Sequence, residues 1–168
     1  MATGVADWIS GQSNVIMNIA NSLAPIERLL TGGAYLMVVA FLFKAIYTLK
    51  VYGEARTMMA SNSSIKEPVV YLIVAAVFIY FPTAFAVVMK SSFGYENVLA
   101  YQPVSSPNST IDALFGGDSL IGRPLTMIIR IIGLVAFIRG WVLIARSAAQ
   151  GQPPGGLGKG FVHVFGGT

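Results

Sequence analysis

Three long apolar runs constrain this chain most, and two of them carry cations. Lys44 lies inside the first run, and Arg130 and Arg139 lie inside the last. A charged side chain at the middle of a membrane-embedded helix costs about 2.5–3.5 kcal/mol on insertion scales. No Asp or Glu interrupts these runs. The cations are therefore expected to find partners in other subunits or in lipid headgroups, not in neighbouring residues of their own helices. Composition fixes the class. Of the 168 residues 55% are apolar and 11% are charged, against about 25% charged in ordinary globular domains. A soluble domain of this size could not hide so much apolar surface, so the chain reads as an all-α integral membrane protein.

The net charge of +4 is mild and its cations are scattered. That suits anionic lipid or topology determinants better than nucleic acid, and no stacking platform for sequence-specific binding is visible. With no cysteine, disulfides, iron–sulfur clusters and thiol chemistry are excluded.

Three spans are expected, at residues 33–49, 68–89 and 124–145, each close to the roughly 20 residues that cross hydrocarbon. Pro68 and Pro124 stand at helix-opening positions, and Pro82 is expected to kink the second span. Residues 1–30 do not read as a signal peptide, because the first basic residue is Arg28, after Asp7 and Glu27. They read as an amphipathic helix. Val15, Ile16, Ile19, Leu23, Ile26 and Leu30 recur at helical spacing, and Ser13, Asn14, Asn18, Asn21 and Ser22 take the other face. Pro25 kinks this stretch or opens the next helix. Such a helix lies on the membrane surface or binds a partner.

The organisation is then an N-terminal helix (1–30), a first transmembrane hairpin (31–90), an extracytoplasmic loop (91–122), and a third transmembrane helix with a glycine-rich tail (123–168). Lys50, Arg56 and Lys66 load the 50–67 loop, and Arg146 and Lys159 load the tail. The 91–122 segment has cations only at its borders, and it holds Glu96, Asp112 and Asp118. The positive-inside rule puts the 50–67 loop and the tail in the cytoplasm, and the N-terminus and the 91–122 loop in the periplasm of a bacterial host. Within that loop, Ser109 or Thr110 can cap a short helix that Gly116 and Gly117 end.

A weak repeat links the first and third runs. Val39-Ala40-Phe41-Leu42 parallels Val135-Ala136-Phe137-Ile138, followed by Lys44 and Arg139, then by Lys50 and Arg146. Residues 159–168 look like the opening of a fourth span that is too short to cross, so the tail is either truncated or re-entrant. Two helical hairpins with basic cytoplasmic tips follow.

Apparent chemical sites dissolve. The run Gly155-Gly156-Leu157-Gly158-Lys159-Gly160 suggests a phosphate loop, but Pro153 stands where the first glycine belongs and Gly160 where Ser or Thr belongs. It is expected to be a flexible turn. His163, the only histidine, has no metal-ligating neighbours in sequence. No Ser–His–Asp set falls in one layer, and no carboxylate in a span offers a proton relay. The expectation is a non-enzyme without metal or cofactor, apart from a possible bound phospholipid.

What remains is helix packing. Gly133, Gly140 and Ser147 recur every seven residues, a small-residue stripe that permits close helix approach. Tyr71, Phe78 and Phe85 recur likewise in the second run. Either stripe packs inside one subunit or forms a seam between subunits. Arg130 and Arg139 are nine residues apart, which at about 100° per residue puts them on opposite faces. Arg123 joins the first face and Arg146 the second. Lys44, Arg130, Arg139 and Arg146 are thus the candidate lipid or partner contacts, unless they merely snorkel to phosphates.

The stretches GGAYLMVVAFLFKAIYTLK and GRPLTMIIRIIGLVAFIRGWVLIARSAAQGQPPGGLGKGFVHVFGG together resemble the IcmC/DotE family of type IVB secretion systems, whose counterpart in IncI-type conjugative plasmids is TraQ. The resemblance covers most of residues 30–168 and is strongest from 123 to 167. It implies a small polytopic inner-membrane component of a Dot/Icm or conjugation apparatus, with a fourth span after the glycine-rich turn. It supplies no catalytic residues. In hydropathy alone, the first hairpin also resembles conjugative pilins. The expected function is a structural subunit that oligomerises with itself and with other secretion-system subunits. The alternatives are a pilin-like subunit of a lipid-bearing filament, and a small channel or transporter.

Overall fold

The computed structural model describes residues 2–58, 64–95, 101–117, 121–149 and 155–167, with side chains from residue 11 onward except 13, 20 and 24. Glu96, Asp118, Pro153 and the side chains of Asp7 and Ser13 lie outside the described residues. The chain is all-helical. Its elements are α1 (Ala2–Thr57), α2 (Lys66–Ile79), α3 (Phe81–Phe93), α4 (Ser109–Phe115), α5 (Gly122–Ser147) and α6 (Gly156–Gly166), with no strand among the described residues. Two helices are long and apolar enough to cross a membrane, and up to three spans result if the bent pair α2–α3 counts as one. The residues form two compact units, one of 1–29 with 97–132 and one of 30–96 with 133–168.

The first departure from expectation is at Pro25, which neither ends nor starts a helix. It lies inside α1, which runs unbroken for 56 residues. Proline costs the helix one hydrogen bond and some crowding. A break would leave up to four donors and four acceptors without partners at the new ends, so continuing is the lesser cost. At about 1.5 Å per residue α1 is about 84 Å long, and a hydrocarbon core of about 30 Å takes only part of it. Between residues 11 and 30 the apolar and polar faces do not separate by burial. Val15, Ile19 and Ile26 are exposed along with Asn14, Asn18 and Asn21, while Ile16, Leu23 and Leu30 are half-buried.

The expected span at 68–89 bends beside Pro82, the residue expected to kink it, and the bend is sharp. α2 stops at Ile79 and α3 starts at Phe81, and their axes differ by 95°. Pro82 opens α3 at its first turn, where its missing N–H is no loss. The new helix bonds from Ala84 N–H to Tyr80 O at 2.7 Å. With 14 and 13 residues, the halves are about 21 and 20 Å long, so neither crosses the hydrocarbon alone. α3 ends at Gly94, whose φ of +82° is the left-handed conformation that glycine adopts without strain.

In the 1–29/97–132 unit, the loop folds on itself. The Tyr101 hydroxyl donates to the Phe115 and Gly116 carbonyls, and Val104 N–H donates to Phe115 O at 2.7 Å. The cap of α4 is Asn108, whose Oδ1 accepts from Thr110 N–H at 3.0 Å, in place of the expected Ser109 or Thr110. Asn108 holds the extended backbone a cap requires, whereas Ser109 is already helical.

In the other unit, Ala34, Val38 and Ala45 form one buried stripe of α1, with Phe41 half-buried among them. Spacings of three and four residues put these on a single face. The same core cluster holds Tyr71, Val74 and Phe78 of α2, and Leu134, Phe137, Ile144 and Ala145 of α5. An aromatic series joins the elements. Phe41 stacks on Tyr71 and Phe78 at 6.0 and 5.9 Å, Phe78 on Phe81 at 6.1 Å, and Phe137 meets Phe81, Phe85 and Trp141 edge-on at 5.9, 5.3 and 6.3 Å. The residues expected as one seven-residue stripe, Tyr71, Phe78 and Phe85, stand on two helices. Phe85 lies beyond the bend and contacts Phe137, so the spacing does not describe a single face.

Candidate functional site: cations and close helix contacts

Lys44 finds a partner on α2. Its Nζ lies 4.8 Å from the centroid of the Tyr71 ring. Phe41, three residues before Lys44 on the same face of α1, stacks on that ring and holds it in place. Tyr71 is 1% exposed, and its hydroxyl is buried without a hydrogen bond. A ring face holding an ammonium contributes about 0.5–2 kcal/mol, more as the pair is desolvated.

Arg130 departs from the expected partner in another subunit or a lipid headgroup, because a carboxylate on another helix of the same chain pairs with it. Its Nη2 lies 2.9 Å from Oε1 of Glu27, both in the 1–29/97–132 unit. Glu27 lies outside the apolar runs, over one hundred residues away in sequence, and only the tertiary structure joins the two. Arg139 and Arg146 are different. Both are exposed on α5, and neither side chain has a hydrogen-bonding, ionic or aromatic partner among the described residues.

The small-residue stripe of α5 faces α6 in antiparallel register. A Cβ added to Gly140 would lie 2.6 Å from Val164 N and 2.8 Å from Gly160 O, and one on Gly160 would lie 3.0 Å from Gly140 O. One on Gly167 would meet Gly133 O at 2.6 Å, and one on Gly156 would meet Ser147 Cβ at 3.0 Å. Of the two readings of the stripe, the contact inside the chain is the one seen at Gly133, Gly140 and Ser147. The supposed phosphate-loop run belongs to this contact. It is helical from Gly156 onward, and Gly155 precedes the helix at φ +109°. From Gly156 to Gly160 a helix stands where a flexible turn is expected, since Gly160 is needed inside a helix for close approach. His163 is half-buried on α6, with Nδ1 2.8 Å from Lys159 O.

Sequence reasoning missed Glu27 as a partner for Arg130, and it missed Phe81, Phe137 and Trp141 as links in the aromatic series. The signal for Glu27 was its place beside the first apolar run. No family of proteins, curated sequence or solved structure matches the chain.

Proposed function

We propose that the chain is a structural subunit of a membrane-embedded assembly, an inner-membrane component of a type IVB secretion or conjugation apparatus that contacts copies of itself and other membrane subunits. The observation that carries this reading is Arg139. It is exposed on a helix able to cross a membrane, without a partner among the described residues, while Lys44 and Arg130 have partners within the chain. A carboxylate of another subunit, or a lipid phosphate, satisfies it. Apolar surface supports the same reading, since only 17% of the apolar window in α1 and 33% of that in α5 is buried. The resemblance to IcmC/DotE supplies the setting, and the cation distribution supports a cytoplasmic 50–67 loop and a periplasmic N-terminus. Phospholipid is the expected bound molecule. The role is scaffolding, without catalysis.

The test compares wild type with Arg139→Lys and Arg139→Leu after gentle solubilisation, by native mass and by mass spectrometry of co-purifying proteins. A forked bond to carboxylate or phosphate needs the guanidinium plane, which lysine lacks. Both variants should lose the high-mass species while still inserting, because leucine enters hydrocarbon more easily than arginine. Full assembly with leucine would sink the role of Arg139. Recovery of the protein in sheared surface filaments would favour the pilin-like alternative. A second reading, a small channel, draws on the bent α2–α3 pair, because re-entrant helices are tolerated where they line water-filled cavities or are buried in protein. Solute flux into liposomes containing the purified chain alone would favour it.

A further inference from the structure

Where α1 ends and α2 begins, Tyr47, Val51 and Tyr52 of α1 face Ser64, Glu67 and Pro68 across a cavity of about 290 Å³. We infer that this cavity binds the primary-amine headgroup of a zwitterionic phospholipid, with the ammonium at Glu67 and the phosphate toward Arg56.

The argument starts from Glu67. Its side chain is half-buried and has no hydrogen-bond or ionic partner among the described residues, even though Lys66 adjoins it in sequence. A partly desolvated carboxylate is costly until a counter-charge arrives. The remaining walls suit a cation. Two tyrosine rings offer negative faces to an ammonium. The Thr48 hydroxyl, also in the wall, already donates to the Lys44 and Ala45 carbonyls at 2.9 and 3.0 Å, and Ser64 Oγ already accepts from Lys66 N–H at 3.3 Å. The Glu67 carboxylate, the lone pairs of the Thr48 oxygen and the π faces match the three donors of a primary ammonium.

The surroundings have the opposite sign. The Arg56 guanidinium stands 5.8 Å from the Tyr52 ring that forms one wall. A negative centre beside a positive flank matches a headgroup that enters amine-first with its phosphate outside. The volume is at the low end for ligand cavities, which run from roughly 300 to 1,000 Å³, so it suits a headgroup and not a whole lipid. The place also fits, because the apolar run of α1 ends here and Lys50, Glu54 and Arg56 follow. The inference rests on the membrane embedding in the proposed function, and not on the assembly role.

The experiment is native mass spectrometry of the full chain released from detergent micelles containing palmitoyl-oleoyl phosphatidylethanolamine, phosphatidylcholine or phosphatidylglycerol. Retention of phosphatidylethanolamine above the other two is expected, with a loss of about tenfold in Glu67→Gln and Tyr52→Leu, as for a desolvated cation contact. Tyr47→Phe keeps its ring and should retain the lipid. Equal retention of phosphatidylglycerol would assign binding to the cations alone and overturn the inference. So would equal retention of phosphatidylcholine, which has no N–H donors, or undiminished binding in Glu67→Gln. If Glu67→Gln fails to fold by circular dichroism, Tyr52→Leu decides. Displacement of the lipid by an equal concentration of soluble phosphoethanolamine would identify a free amine as the ligand and end the lipid assignment. Carbonate extraction of membranes reads embedding separately, so a failed lipid site and a failed membrane assignment are told apart.

Discussion

Three cations in apolar runs meet three different ends. Lys44 rests on an aromatic face, Arg130 on a carboxylate, and Arg139 stands open. The Lys44–Tyr71 contact uses the ring and not the hydroxyl, which is buried without a partner. Removing an unsatisfied polar group is neutral or stabilising. Tyr71→Phe should therefore leave thermal stability in detergent unchanged or raised. Tyr71→Leu should lower it by about 1–3 kcal/mol through lost ring volume and lost ring contacts. Greater damage from Tyr71→Phe than from Tyr71→Leu would point to an unseen partner for the hydroxyl. The Glu27–Arg130 pair is a gauge of its surroundings. In water an exposed pair contributes about 0–1 kcal/mol, and with Arg130 at 52% and Glu27 at 29% side-chain exposure that range is expected for the chain in detergent. A double-mutant cycle with Glu27→Gln and Arg130→Gln measures the coupling. It should rise when the cycle is repeated in lipid nanodiscs, where a lower dielectric strengthens the pair. Equal coupling in both media would place the pair in water.

At the scale of elements, the α5–α6 contact depends on the absence of side chains. Gly140→Ala adds a carbon 2.6 Å from Val164 N and 2.8 Å from Gly160 O, and both are backbone atoms that cannot swing aside. The helices must separate, at a cost of about 1–3 kcal/mol. Gly140→Leu should do more damage still. Proteolysis near the junction of α5 and α6 should accelerate in both variants while membrane insertion persists. Unchanged protease resistance would show that α6 does not depend on this approach. The small-residue stripe on α5 was legible in the sequence, because a seven-residue recurrence of Gly and Ser has few other uses in an apolar helix. Its partner was not legible, since a glycine-rich run resembles a loop until something approaches it closely.

For the whole molecule, the bend at Tyr80 decides the topology. A single span over residues 68–89 puts the 50–67 loop and the 91–122 loop on opposite sides of the membrane, whereas a re-entrant α2–α3 pair puts them on the same side. The cation asymmetry favours opposite sides. An impermeant thiol reagent applied to spheroplasts should label Ser106→Cys and leave Ser63→Cys untouched. Labelling of both would establish the re-entrant path, and labelling of Ser63→Cys alone would invert the topology. By itself, the sequence determined the all-helical class and the place of its apolar helices. Hydropathy and the opening prolines Pro68 and Pro124 act locally, and α2 and α5 begin within two residues of them. Three outcomes waited for tertiary structure. Helix continuity through Pro25 balances one lost bond against two new ends. The kink beside Pro82 was legible, but its 95° follows the rings that Phe81 and Phe85 present to Phe137. The partners of Lys44 and Arg130 come from segments far off in the chain. Such contacts are set by where helices meet in space, which no local pattern records.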